Sequence, residues 1–336
     1  MRAVVYTETG PSSVLHLVDR PVPEPGPGEV RVRLVRAGVN PTDWKFRAVM
    51  GSDFDEVAPG QDGAGVVDAL GEGVTDLAVG DRVWLVLAQY QRPYGTAVDQ
   101  TVQPAAFVTK LPEGVSYDVG ADLGVPAVTA HRALTSGDVD RLAPGTMAGT
   151  TVLVAGGAGA VGNAAVQLAV WAGATVVTTV SSDEKAALAR AAGAHHVVDY
   201  TTQDVVAAVR EVAPDGVDLV VEVSPAQNIG IDVEVVRNHG TIAYYANNGG
   251  DSFSMPVRET FSKNLRFQGL IVYTLDRELL AHALEDVTAA VAAGAFHVGE
   301  EAGLPLHRYP LERLAEAHDA VEGGVVGKVL IDISDD

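Results

Sequence analysis

At 336 residues, with 47% hydrophobic and 20% charged side chains, the chain has an ordinary globular composition and enough length for two domains. Acidic residues outnumber basic ones by 44 to 23, and the resulting formal charge of -21 repels phosphodiester backbones, which argues against nucleic acid as a partner. There is no cysteine, which excludes disulfides, thiolate zinc sites, iron–sulfur clusters and cysteine nucleophiles and fits a reducing cytoplasm.

The opening MRAVVYTETG reads as a strand that meets charges within a few residues, so no signal peptide is expected. After the Pro/Gly-dense connector PVPEPGPGE, EVRVRLVR (29–36) alternates at period two, as a strand with one wet face does. GAGVVDAL (63–70), GDRVWLVL (80–87) and AAFVTKLP (105–112) follow, each bounded by glycine or proline, and together they predict a barrel-like β domain. GADLGVPAVTAHRAL (120–134) reads as a helix.

From there apolar runs alternate with helical segments. TVLVA (151–155), a helix from Ala160, TVVTTV (175–180), a helix from Ser182, HHVVDY (195–200), a helix from Gln203 and VDLVVEV (217–223) predict a doubly wound α/β domain. The uncharged stretch between Arg141 and Asp183 is long enough for a membrane span. Gly156, Gly157, Gly159, Asn163 and Gln167 interrupt it, so it reads as buried strand–helix–strand and no membrane association is expected. FQGLIVY (267–273) reads as the closing strand of the α/β sheet. A helix from Arg277 to about Ala293, another over 311–322 and the strand GKVLIDI (327–333) form a tail too short for a third domain. The expected division is 1–124, 125–270, and a return of 271–336 to the first domain.

In the α/β part, an apolar strand runs straight into Ala155-Gly156-Gly157-Ala158-Gly159-Ala160-Val161-Gly162, and a helix follows at once. Such glycines permit a tight turn and close backbone approach to a pyrophosphate seated on the helix N-terminus, and Gly162 permits close packing of helix on strand. The spacing is G-x-x-G-x-x-G, but the strand–turn–helix–strand context selects dinucleotide binding over an empty glycine turn. An NAD site usually ends its second strand on an acidic residue. Here Ser181 and Lys185 offer donors to a 2′-phosphate; Ser181 with Glu184 also reads as a capping box.

Other features read more blandly. His195-His196 is a solvated turn before a strand and not a metal site, and no serine sits in a nucleophile elbow. Tyr90 and Tyr94 are strand-edge aromatics or cleft lining. Asn40, Asp43 and Lys45 stand at a loop-to-helix start, where helix capping and a polar cleft edge explain them equally.

Read together, these segments resemble the quinone oxidoreductase and zeta-crystallin branch of the medium-chain dehydrogenase/reductase superfamily. The similarity runs nearly end to end. Its landmarks are Gly38-Val39-Asn40-Pro41-Thr42-Asp43, Gly60-Gln61-Asp62-Gly63-Ala64-Gly65, Gly80-Asp81-Arg82-Val83, Gly124-Val125-Pro126-Ala127-Val128-Thr129-Ala130, the glycine loop with Val166-Gln167-Leu168-Ala169, and Gly327-Lys328. The resemblance implies a GroES-like β domain and a Rossmann domain, and the apolar strand at 267–273, which as a bare sheet edge would invite aggregation, predicts a homodimer that pairs it with its symmetry mate. It implies NADPH, with Ala158, Gly159, Ala160 and Val161 at the pyrophosphate and Ser181, Lys185 and Tyr200 around the 2′-phosphate and adenine. Asn228, Tyr245, Ala246, Asn247 and Asn248 would follow the ribose and nicotinamide, with Leu270, Ile271 and Val272 beyond, and Thr129 and Lys328 in cofactor-adjacent positions.

Zinc-dependent relatives place a Cys where Asn40 stands and a His-Glu pair where Gln61-Asp62 stand, so the resemblance implies a zinc-free enzyme. Many quinone reductases have a Tyr where this chain has Lys45, which leaves the acceptor open between a quinone and an enone. The implied activity is hydride transfer to such an acceptor, with Lys45, Asn40 or backbone N–H groups facing the developing oxyanion. An enoyl or enone reductase of a biosynthetic route and a non-catalytic structural role are the alternatives.

Overall fold

Period-two alternation carries the first part of the chain into a sheet. In the computed structural model, which describes residues 1–51 and 53–335, β1 (Arg2–Val5) pairs antiparallel with β2 (His16–Asp19). β3 (Glu29–Val39) buries Val30, Val32 and Leu34 completely, as its sequence pattern requires. It runs into α1 (Pro41–Lys45), which Pro41 opens at the position where its missing N–H costs nothing. β4 (Asp62–Leu70), β5 (Arg82–Leu85), β6 (Gln100–Pro104) and β7 (Val108–Lys110) follow. β6 is an addition to the predicted strands, and the run at 105–112 divides into a 3-10 turn at Ala105–Phe107 and the short β7.

The single helix expected over 120–134 is two. α2 (Tyr117–Asp122) and α3 (Val128–Leu134) are joined by a wider π turn at Leu123–Ala127 that contains Pro126. Proline has no N–H to give and its ring crowds the preceding turn, so a regular α-helix cannot pass through it.

The α/β segment follows its sequence pattern closely. β8 (Thr151–Ala155), α4 (Ala160–Trp171), β9 (Thr175–Val180), α5 (Asp183–Ala191), β10 (His196–Asp199), α6 (Val205–Val212) and β11 (Val217–Glu222) alternate. α7 (Pro225–Val235), β12 (Val236–Tyr244), α8 (Val257–Ser262), β13 (Arg266–Gly269) and α9 (Arg277–Ala292) complete it. All six strands are parallel, in the order β10-β9-β8-β11-β12-β13. This is the dinucleotide-fold order, with its switch point between β8 and β11. β12 escaped the sequence reading because the polar Arg237-Asn238-His239-Gly240 interrupts it, with His239 at φ 61 and a register shift against β11. β13 is shorter than the predicted 267–273 strand, because its partner β12 ends at Tyr244, opposite Gly269.

The chain closes with β14 (Leu306–Pro310), α10 (Leu314–Glu322) and β15 (Lys328–Asp332), where β15 pairs antiparallel with β3. Two compact units result: Met1–Val125 with Leu306–Asp336, and Pro126–Pro305. The first is a sheet in the order β14-β15-β3-β4-β5-β7 with β6 on β3, the GroES-like β domain; the second is the Rossmann domain. The return therefore begins at Leu306 and not at residue 271.

α9 buries an apolar face within the second unit, and one buried carboxylate on it adds specific ties. Asp286 on α9 accepts from His131 of α3 at 2.8 Å, from Arg141 Nε at 2.9 Å and from the N–H of Leu142 at 2.7 Å, which fastens α9 inside the second unit. These donors hold the Asp286 carboxyl below the usual carboxylate range against the opposing effect of burial. A depressed carboxylate contributes stability that is present above its unfolded pKa and lost as pH falls. Asp286→Ala, which strands His131 and Arg141, is expected to destabilise the second unit by about 3–5 kcal/mol. Thermal melting at neutral pH checks this, and the gap from wild type should narrow on acidification.

Candidate functional site

The carboxyl end of β8 meets the glycine turn at the sheet's switch point. Gly156 takes φ +72, a conformation that side chains with a Cβ resist. A Cβ on Gly157 would lie 2.2 Å from Thr178 Oγ1, and one on Gly162 would lie 2.2 Å from the Gly156 carbonyl oxygen. The turn and α4 are thus pressed against the sheet so closely that only glycine fits at either point. Gly159 caps α4, and the first N–H groups of a twelve-residue helix open beside it. Gly159 is exposed, Ala160 and Val161 are partly so, and Ala158 is buried. This cradle suits a pyrophosphate.

At the end of the neighbouring β9, Lys185 Nζ donates to Ser181 Oγ at 2.8 Å. The capping residue of α5 is Ser182, whose Oγ accepts from the Lys185 N–H at 3.3 Å, and not Ser181 as the sequence suggested. Ser181 is therefore not consumed by the helix and pairs with the lysine. Tyr200 follows β10, is 55% exposed, and is tied to the Val180 carbonyl through its backbone N–H.

Beyond the switch point, Asn228 Nδ2 donates to Glu222 Oε1 at 3.1 Å, and the Tyr245 N–H donates to the Glu222 carbonyl at 3.2 Å. Burial pushes the Tyr245 phenol up. Ala246 is half-buried and Asn247 and Asn248 are exposed. Leu270 is held by its N–H on the Tyr244 carbonyl at 3.0 Å, Ile271 is exposed and Val272 is buried. Thr129 lies buried on α3.

In the first unit, Asn40 is buried before α1, and its N–H donates to Asp43 at 2.7 Å, half of a capping arrangement. Its amide is engaged on both sides: Nδ2 donates to Asp62 Oδ2 at 2.6 Å and Oδ1 accepts from Lys328 Nζ at 2.9 Å. Lys328, 1% exposed, also lies 3.2 Å from Asp62 and 3.5 Å from Asp122. Burial pushes Asp43 up to about 8 and Asp122 up to about 7, and it raises Asp62 against the pull of Lys328. Two sequence landmarks explain themselves here. A Cβ on Gly38 would come within 2.8 Å of Lys328 Cε, and one on Gly124 within 2.2 Å of Asp62 Oδ1. Lys45 ends α1, its Nζ 5.9 Å from the centre of the Trp44 ring.

The blander features have structural places. His195 Nδ1 accepts from the Val176 N–H at 3.0 Å, and Tyr94 donates to Glu56 at 2.6 Å. Sequence reasoning missed Asp122, Glu222, Ser224 and Asp232. The signal available was a carboxylate, Glu222, ending an otherwise apolar strand.

The chain matches the model of the alcohol dehydrogenase GroES-like domain over residues 26–113 and that of zinc-binding dehydrogenases over residues 160–289. It is 30% identical to a quinone oxidoreductase of Pongo abelii, over 98% of this chain and 97% of that one. It is also 30% identical to a 2-haloacrylate reductase of a Burkholderia species, over 98% of each. Among solved structures, a mycobacterial quinone oxidoreductase is 30% identical with TM-score 0.85, and an NAD-dependent alcohol dehydrogenase is 29% identical with TM-score 0.85; each pairing covers 99% of this chain and 100% of the other. A mycobacterial structure solved with NADPH is 30% identical, with TM-score 0.83 over 99% of this chain and 100% of that one. Zinc, part of the second family model's description, does not suit the residues present, since Lys328 Nζ already donates to Asn40 Oδ1 and pairs with the Asp62 carboxylate. The chain belongs to the quinone oxidoreductase branch of the medium-chain dehydrogenase/reductase superfamily and is an oxidoreductase.

Proposed function

We propose that the protein is an NADPH-dependent, zinc-independent oxidoreductase acting on a quinone or another conjugated carbonyl. The observation that carries the choice of cofactor is the Lys185–Ser181 contact of 2.8 Å at the end of β9, where an NAD site would present a carboxylate. In this reading Ala158, Gly159, Ala160 and Val161 hold the pyrophosphate, and Ser181, Lys185 and Tyr200 surround the 2′-phosphate. Asn228, Tyr245, Ala246, Asn247 and Asn248 line the ribose and nicotinamide, with Leu270, Ile271 and Val272 past them. When bound, the reduced dinucleotide supplies a hydride to an electron-poor carbon or oxygen of the acceptor.

The residues of the chain then have two tasks. Lys45 stabilises the negative charge that grows on the acceptor oxygen, as a cation in place of the tyrosine of many relatives. Asn40, with its amide spent on Asp62 and Lys328, supports the start of α1 and so positions Lys45. The likeness to a 2-haloacrylate reductase favours activated alkenes as a second acceptor class. Among the described residues no helix is long and apolar enough to cross a membrane, and the cysteine-free sequence suits the cytoplasm. A homodimer through the β13 edge, where Ile271 is 53% exposed, would cover a strand end that otherwise invites aggregation.

Lys185→Ala is expected to weaken NADPH by about tenfold to a hundredfold, the worth of one charge-assisted hydrogen bond, and to leave NADH nearly unchanged. Equal loss for both dinucleotides in equilibrium titrations would refute the 2′-phosphate assignment. Lys45→Ala should slow enone reduction by about 10²-fold, reduce quinone turnover less, and spare NADPH affinity. Steady-state kinetics on both acceptor classes reads this. Solution mass at micromolar concentration should be that of a dimer, and a strictly monomeric mass would remove the β13 interface from the reading.

A further inference from the structure

Glu222 closes β11 with its side chain fully buried. One face of α7 carries Asn228 and Asp232, one turn apart, and both reach Glu222. Glu222 Oε1 accepts from Asn228 Nδ2 at 3.1 Å and from the Ser224 N–H. Ser224 Oγ in turn donates to the Asn248 carbonyl at 2.7 Å. One carboxyl group therefore anchors two asparagines of the candidate nicotinamide end.

Asp232, 2% exposed, interacts with this carboxyl group, and Glu222 Oε2 and Asp232 Oδ2 are both buried with no donor supplied to them. The nearby cations are committed to other partners. Arg210 of α6 and Lys263 donate to carbonyls at the far end of α7, including that of Glu234. Arg237 of β12 binds Asp218, and on α3 His131 binds Asp286 and Arg132 the Thr135 carbonyl. Tyr245 is the remaining titratable side chain that interacts with Glu222. Two carboxyls in contact, buried and without a cation, cannot both ionise.

We propose that Asp232 is a positioning residue. It shares one proton with Glu222, keeps that carboxylate aimed at Ser224 and Asn228, and so presents Asn228 and Asn248 to the ribose and nicotinamide end of the dinucleotide. With Nδ2 committed to Glu222, Asn228 offers Oδ1 as an acceptor for a ribose hydroxyl. The inference rests on the cofactor reading above. Burial raises both acids and the Glu222 charge raises Asp232 further, so the folded protein holds a proton that the unfolded carboxyls release. The stabilisation is complete below the unfolded pKa and is lost as pH climbs through the folded one.

The test compares wild type, Asp232→Asn and Asp232→Ala from neutral to alkaline pH, by thermal melting without cofactor and by NADPH titration. Asparagine donates an N–H to Glu222 without titrating. Wild type should lose stability with rising pH more steeply than Asp232→Asn; Asp43 and Asp122 contribute alike to both, so the difference reports the pair. Wild-type NADPH affinity should fall by roughly tenfold over the alkaline range while that of Asp232→Asn changes less than about twofold, and Asp232→Ala should bind about tenfold or more weakly even at neutral pH. Identical pH profiles for wild type and Asp232→Asn, with NADPH still bound, overturn the positioning role alone. So does an Asp232→Ala that melts and binds like Asp232→Asn. A folded wild type that binds neither NADPH nor NADH overturns the cofactor reading and the positioning role with it.

Discussion

The ammonium of Lys328 sits at the first residue of the last strand, with almost no access to water and two acidic side chains close by. It joins Asn40 at the end of β3, Asp62 at the start of β4 and Asp122 at the end of α2 to the returning β15. Removing one partner of such a buried network costs about 3–5 kcal/mol, because the charges left behind cannot be rehydrated. A Cβ at position 124 would occupy the space of Asp62, and one at position 38 would meet the Ala121 carbonyl first and then Lys328. Asn40 is held from both sides by the same network, and α1 with Lys45 begins from Asn40. In the first unit, the candidate chemistry is thus supported by a buried charge arrangement of Lys328 with Asn40, Asp62 and Asp122.

The second unit answers the same problem differently. Its sheet is built from near-continuous apolar strands, so a carboxylate at the end of β11 has no lysine to meet. It meets another carboxyl and a run of donors instead. The Glu222 arrangement puts polar groups where a strand ends and a helix begins, the part of a parallel α/β fold where backbone N–H groups are free to bind a ligand. The glycine turn after β8 adds the remaining requirement, an approach of backbone to backbone closer than any Cβ allows.

The buried acids also give the two units a common pH response. Asp43 and Asp122 are pushed up toward neutrality, and Glu222 and Asp232 are raised as well, so all four favour the folded state in their protonated forms. Asp286 runs the other way, with its donors outweighing burial. Stability at high pH is therefore limited by the groups around the candidate sites, and stability at low pH in part by the carboxylate that fastens α9.

Much of this was legible in the residues alone. TVLVA and TVVTTV are β8 and β9 to the residue, α4 starts at Ala160 as read, and the glycine spacing announced a backbone turn against a helix. Local periodicity decides such elements, because a strand covered on both faces and a helix with one wet face leave different repeats. What tertiary structure decided is everything set by pairing over long sequence distances. The length of β13 depended on where β12 stops, the allegiance of residues 271–305 on the packing of α9 against α3 and α4 with Asp286 bound to His131, and the helix cap at Ser182 on which serine faced the backbone. The partners of Asn40, Lys328, Glu222 and Asp232 were invisible for the same reason. A buried charge is stabilised by whatever the fold brings within hydrogen-bonding distance, and no local pattern encodes a neighbour 288 positions away.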